Sequence, residues 1–279
     1  MDIPKDLRIA LLIDAENVPH SNLKEMLEEL AKYGTPTFKR IYADWTKPAI
    51  TGWKSILLEN AITPIQQYSY TTGKNSSDNA MIIDAMDILH DEKVDGFCLV
   101  SSDSDFTRLA IRLRESGKLV IGIGEKKTPN PFIVACDKFI YIEIIGAADT
   151  PQPEPAPKTT GKRVKKIPAQ AVNIDPMDNL FIKLIKSSIN DLADDSGWAF
   201  LAEVGALLIK KKPDFDPRNY GFPKLMPLIK SLTKHFEIDE REVENKNIKR
   251  IYVRNKTDFR PKQQGHKTGL KIPAVKHQE

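Results

Sequence analysis

The chain reads as an α/β domain with a mainly parallel sheet and helices on both faces, followed by a small winged-helix-like second domain. Three observations predict this. Before residue 146, unbroken apolar runs alternate with segments of helical spacing. After residue 172, apolar residues recur at helical spacing until a closing hairpin. Between them lies a proline-rich stretch that lacks large apolar residues except near its end. Alternating strands and helices make crossover connections, which yield parallel sheets covered on both faces.

In the first half, RIALLID (8–14) is a buried strand by its continuous apolar run, and Leu23, Met26, Leu27 and Leu30 then fall at helical spacing. FKRIYAD (38–44) is a strand, followed by a helical stretch ending near ILLENA and a short strand around PIQQY. NAMIIDAMDIL (79–89) is helical, and GFCLVSS (96–102) is a strand. Phe106, Leu109, Ala110 and Leu113 mark another helix, and KLVIGIG (118–124) and KFIYIEII (138–145) complete the series.

In the second half, three helical stripes run through Leu180, Leu184, Ile185 and Leu192, then Leu201, Val204, Leu207 and Leu208, then Leu225, Leu228, Ile229 and Leu232. A hairpin from FEID (236–239) to IKRIYV (248–253) supplies a two-stranded wing. The boundaries are 1–146 for the first domain, 147–172 for a Pro/Lys-rich linker, 173–255 for the second domain and 256–279 for a basic tail expected to be disordered. Lys158, Lys162, Arg163, Lys165 and Lys166 make the linker either a solubilising spacer or a phosphate-contacting arm.

With 279 residues, 41% hydrophobic and 29% charged, the chain is an ordinary globular protein of about two domains. No apolar run reaches the ~18 residues that span a bilayer. The start, MDIPKDLRIALLID, reads as a first strand rather than a signal peptide. Two isolated cysteines, Cys98 and Cys136, make neither a disulfide framework nor a zinc motif, so the expected compartment is cytoplasmic. The net charge of +4 conceals an asymmetry: residues 1–146 hold 17 Lys/Arg against 21 Asp/Glu, the remainder 25 against 17. A basic second half suits a polyanion.

In open parallel sheets, functional groups gather at the carboxyl ends of strands. Asp14 closes the first strand, Asp103 and Asp105 follow the GFCLVSS strand, and Asp78 opens the helix before it. Singly, each has an ordinary role: Asp78 as complement to a helix dipole, Asp105 as a cap, Asp103 as a turn former. Together they map to one rim. Carboxylates packed together repel one another unless a counter-charge is present, and an all-oxygen set suits Mg²⁺ or Mn²⁺.

IDAENV, the KNSSD-to-helix segment, Asp84 and SSDSDF together resemble the NYN branch of the PIN-like nuclease superfamily, over roughly residues 7–143. The resemblance implies a Rossmannoid, PIN-like fold and a divalent-metal-dependent ribonuclease. Asp14, Asp78, Asp103 and Asp105 would be its metal-binding acids, with Asn17 beside them to position water or phosphate. Asp84 also matches an acidic position, but six residues of helix rotate it by about 240° from Asp78, which leaves it an outer group or a helix–strand tether. Hydrolysis with a divalent cation would leave a 5′-phosphate and a 3′-hydroxyl. His20, His90, His235, His266 and His277 are scattered and offer no pair for cleavage through the 2′-hydroxyl. Lys74 is a candidate phosphate contact. Haloacid-dehalogenase phosphatases would need DxD, where this chain has Asp14-Ala15-Glu16, and threonine where it has Val18; receiver domains would need a late lysine that KLVIGIGEKK can supply. Neither accounts for SSDSDF.

GWAFLAEVGALL (197–208) and DPRNYGFPKLMPLI (216–229) resemble the LOTUS or OST-HTH domain. That resemblance implies RNA binding or docking to a protein partner. Trp198, Tyr220 and Phe222 read equally as core aromatics, Trp198 above all. Lys210, Lys211, Lys212 and Arg218 flank the middle helices, and Lys249, Arg250 and Arg254 decorate the wing as candidate phosphate contacts. The leading expectation is a two-domain ribonuclease with RNA as partner and no membrane association. The alternative is a catalytically silent RNA-binding or adaptor protein on a nuclease-like scaffold.

Overall fold

The computed structural model describes residues 6–68, 76–145, 174–243 and 246–256. In the first domain, β1 (Arg8–Asp14), β2 (Thr35–Ala43), β3 (Thr63–Gln66), β4 (Gly96–Val100), β5 (Leu119–Gly124) and β6 (Lys138–Tyr141) form one sheet in the order β3-β2-β1-β4-β5-β6. Every pairing is parallel. The central strands are apolar throughout because both of their faces are covered: Ile9 through Ile13 and Phe97 through Val100 are buried. The flanking helices are α1 (Leu23–Leu30), α2 (Thr51–Leu57), α3 (Ser76–His90), α4 (Thr107–Glu115) and α5 (Asn130–Ala135). Cys98 and Cys136 are free thiols in the core, as their isolation in the sequence implied.

The order in which strands are added reverses between β1 and β4: β2 and β3 build outward on one side, β5 and β6 on the other. A crevice opens at the carboxyl ends of strands flanking such a reversal, because the connections on either side leave in opposite directions. Asp14 ends β1 and the SSDSD loop follows β4, so the topology places the sequence's acids at that crevice.

The second domain comprises α6 (Asn179–Leu192), β7 (Trp198–Phe200), α7 (Leu201–Lys211), α8 (Leu225–Ser231), β8 (Phe236–Val243) and β9 (Lys246–Asn255). Its core joins Phe181, Ile185, Val204, Leu208, Leu228 and Val253. Asp178 caps α6 by accepting from the Phe181 N–H, and Gly221, at φ +80, ends the turn before α8 in the left-handed region that glycine enters freely. The wing has three strands rather than two, in the order β7-β9-β8. The added strand is WAF, which alternates outward and inward and pairs antiparallel with β9. Lys74, the proposed linker and the basic tail beyond Lys256 lie outside the described residues. No helix among the described residues is long and apolar enough to cross a membrane.

Candidate functional site

Asp78 lies in the first turn of α3, and α3 packs across β1 and β2. Asp103 and Asp105 lie in the loop and 3-10 turn after β4, which touch α3. One carboxylate oxygen from each of Asp78, Asp103 and Asp105 falls within 4.8 Å of the others. Asp103, rather than Asp105, is the capping residue: its Oδ1 accepts from the Asp105 N–H at 2.9 Å. Asp78 is only 7% exposed. Burial, then the negative charges of Asp14, Asp103, Asp105 and Glu16, push its carboxyl up to about 6.

Asp14 is not one of the three acids whose oxygens fall within 4.8 Å of one another, but its charge is the foremost of those that act on Asp78. At the strand end it is 1% exposed, and its oxygens accept from Asn17 Nδ2 at 2.6 Å, Ser101 Oγ at 2.9 Å and the Glu16 N–H at 3.1 Å. Burial raises its pKa, and these hydrogen bonds oppose the rise. Asn17 therefore orients Asp14. Asp84, expected as an outer group or a helix–strand tether, binds Arg40 Nη1 and the Tyr42 hydroxyl and so ties α3 to β2. The helical rotation that separated it from Asp78 in the sequence is the cause.

Ser101 is the residue that sequence reasoning passed over. Its hydroxyl donates to Asp14 and accepts from the Asp103 N–H at 3.1 Å, so one side chain connects the β1 terminus to the acidic loop. The signal was present in its position, first after the buried strand, but a serine in a serine-rich loop has too many ordinary roles. The same loop leans on β5. Ser102 Oγ accepts from the Glu125 N–H at 2.9 Å, and a Cβ at Gly124 would meet the Ser101 carbonyl oxygen at 2.6 Å. Glycine is needed there for the loop to approach.

The expected basic contacts divide. Arg218 is bound to Glu29 of α1 and to Asp216, which withdraws it from any phosphate. Lys212 lies 3.5 Å from Asp214 and over the Tyr220 ring, and Lys211 joins Asp191 and Ser187 of α6. Lys249 is exposed, 3.8 Å from Glu242. Lys210 and Arg250 are exposed and have no carboxylate partner among the described residues. Around Arg218 the two domains are closely joined: Lys138 Nζ donates to the Phe215 carbonyl at 2.7 Å, the Phe139 N–H of edge strand β6 to the Pro213 carbonyl at 2.9 Å, and the Tyr141 hydroxyl to Asp214 at 2.9 Å. Lys126, on the rim of the first sheet, pairs with Asp175 at 2.8 Å.

Trp198 is not a core residue. It is half-buried on the outer face of the wing, beneath Arg241 and Arg254. Tyr220 is core, stacked on Phe181 with centroids 4.1 Å apart.

Among solved structures, similar chains include a protein of unknown function from Vibrio parahaemolyticus, 23% identical, covering 51% of this chain and 96% of that one, with a TM-score of 0.43. An uncharacterized protein from Nitrosomonas europaea is 28% identical over 46% of this chain and 99% of its own, with a TM-score of 0.26. A Chromobacterium violaceum fragment is 31% identical over 32% of this chain and 94% of its own, with a TM-score of 0.25. No curated protein matches. The NYN domain model matches residues 8–143 and the OST-HTH/LOTUS domain model matches residues 177–248. An acidic cluster on the first and a winged module behind it support a nuclease-like RNA-binding protein. Residues 8–143 are an NYN domain with a PIN-like fold, and residues 177–248 are an OST-HTH/LOTUS domain, in that order along the chain.

Proposed function

We propose that the chain is a divalent-metal-dependent ribonuclease that hydrolyses RNA phosphodiester bonds, with substrate held by the C-terminal domain. The observation that carries this reading is the convergence of Asp78, Asp103 and Asp105 within 4.8 Å at the carboxyl end of a parallel sheet. All the donors are carboxylate oxygens, which fit Mg²⁺ or Mn²⁺ and disfavour zinc. When bound, such a cation activates water and offsets charge on phosphate oxygens.

The chain's own residues fix the geometry. Asp78, Asp103 and Asp105 would hold the cation. Asp14 adds negative charge next to Asp78 and, through Ser101, sets the height of the Asp103 backbone. Asn17 keeps Asp14 turned toward the loop. The described histidines lie on separate elements, so a 3′-hydroxyl and a 5′-phosphate are the expected ends.

The test is cleavage of end-labelled single-stranded RNA with Mn²⁺ or Mg²⁺, by wild type beside Asp103→Asn, Asp105→Asn and Ser101→Ala. Asp103→Asn and Asp105→Asn should abolish cleavage. Ser101→Ala, which acts through Asp14 and Asp103, should lose roughly 10- to 100-fold. Cleavage that survives excess chelator refutes the proposal. Wild-type protein that binds RNA without cutting it in either metal supports the adaptor reading instead.

A further inference from the structure

The outer face of the wing carries a pattern that neither the acidic site nor the domain contact uses. Cross-strand register places Trp198 beside Arg254 and Phe200 beside Tyr252 on one face. Their inward neighbours Ala199 and Val253 are buried in the core. Arg241 of β8 lies 4.3 Å from the Tyr252 ring centroid and 5.4 Å from that of Trp198. Arg254 lies 4.6 Å from Trp198, and Arg250 5.9 Å from Phe200. Phe200 and Tyr252 contact each other with centroids 5.8 Å apart.

The choice of cation is selective. Between residues 174 and 256 the chain has eleven lysines but only four arginines. Arg218 is held in the domain contact, and the other three are all on this face. Lysine would serve for solubility. A planar guanidinium differs in stacking on rings and still offering donors to a phosphate. Asp239 binds Arg241, and Glu237 binds Arg254, so two of the planes are held in place; Arg250 keeps its charge uncompensated among the described residues. Beside Trp198, a groove of about 420 Å³ continues past Phe236 to Lys256.

We infer that this face is a stacking platform for the unpaired bases of single-stranded RNA, with Arg250 and Lys256 meeting its phosphates. The inference rests on the RNA-binding part of the proposed function and names its substrate class. Rings and guanidinium planes accept any base by its π-face, so recognition tolerates sequence. A duplex keeps its bases stacked on one another and cannot present them to a sheet.

The experiment uses the full chain in EDTA, so that binding is read without cleavage. Fluorescence anisotropy is measured with a labelled single-stranded RNA and with a duplex of equal length. Single strands should bind more tightly, and Tyr252→Leu and Trp198→Leu should each weaken that binding by about 5- to 100-fold. Arg250→Lys, which keeps charge and fold, should weaken it less but measurably. RNA should quench tryptophan emission in the wild type, and Trp198→Leu should lose most of that quench. Equal affinity for duplex and single strand overturns the inference. So does wild-type affinity in the folded leucine variants, which would leave the cation–π pairs as stabilisers of the wing. If a leucine variant fails to fold, unchanged binding and quench in Arg250→Lys overturn it as well. A protein that binds in this way but never cuts leaves the inference standing and removes only the nuclease reading.

Discussion

Arg218 grips Glu29 across the domain boundary through two hydrogen bonds of 2.8 Å, Nη1 to Oε2 and Nη2 to Oε1. The fork is completed by Asp216, which accepts from Nε and Nη2. Glu29 is 4% exposed and Asp216 8%. Lys32 at 2.7 Å from Glu29 and Lys138 at 3.9 Å from Asp216 add positive charge, but only Arg218 bridges the two carboxylates.

Arg218→Ala should therefore leave buried Glu29 with Lys32 alone and buried Asp216 with only the Lys138 ammonium 3.9 Å away, and cost about 3–5 kcal/mol. The loss should take the form of separated domain unfolding: one calorimetric transition in the wild type becoming two. Arg218→Lys should rescue poorly, because an ammonium cannot make the bidentate contact. A single unshifted transition in Arg218→Ala would show that the contact contributes nothing to domain docking.

Acid should have the same effect by a different route. Burial works against the charge on Glu29 and Asp216, but the Arg218 hydrogen bonds and charge outweigh it, and both carboxyls stay below their ordinary values. A depressed carboxyl contributes stability that is complete above its unfolded pKa and is lost as pH falls through the folded one. Docking should be intact at pH 5, begin to weaken below the ordinary carboxylate values of about 4, and fail only at a pH lower still. Small-angle scattering across that range should report an increase in radius of gyration, absent if docking does not depend on these charges.

Asp78 has the opposite sign. Its carboxyl holds a proton to about pH 6 in the folded state, whereas the ordinary value is 3.8. The native state binds the extra proton between those limits, so stability falls as pH rises through the window. In excess chelator the wild type should lose up to about 3 kcal/mol relative to Asp78→Asn from pH 4 to pH 7. Added Mn²⁺ should restore the wild type and not the variant. Parallel melting curves for the two proteins across this range would contradict the arrangement.

Asp84→Asn separates tether from site. Burial and Asp84 both push the Tyr42 hydroxyl's pKa up, so it stays protonated as a donor. The variant should lose about 1–3 kcal/mol in urea denaturation through the weakened contact to Arg40 and Tyr42. Cleavage per folded molecule should stay within a few-fold of wild type. Abolished cleavage with unchanged stability would return Asp84 to the metal site.

Gly124→Ala tests the approach of the acidic loop to β5. The new methyl meets the Ser101 backbone oxygen at 2.6 Å, besides Thr128 Oγ1 at 2.8 Å, and the backbone contact obliges the loop to move. Overpacking of this kind costs about 1–3 kcal/mol, and the displaced Asp103 should reduce cleavage more than stability alone accounts for. Circular dichroism melts and cleavage rates on the same preparation would separate the two effects.

The division between sequence and tertiary structure follows the range of the forces involved. Apolar runs in RIALLID and GFCLV determined buried parallel strands, and helical spacing determined the flanking helices, because burial pattern and period are local properties of a chain. The acids of IDAEN, NSSD and SSDSD were legible as one rim, since strand ends in such sheets lie together. What only the tertiary structure decided was rank and partnership. Ser101 donates to Asp14 from the neighbouring strand's end, 87 residues away in sequence, a partnership set by the β1–β4 pairing. Arg218 went to Glu29, 189 residues away in sequence, and no local pattern encodes a pair formed across a domain boundary. Trp198 turned outward because β7 pairs with β9, and that register determines which face of a short aromatic strand meets solvent.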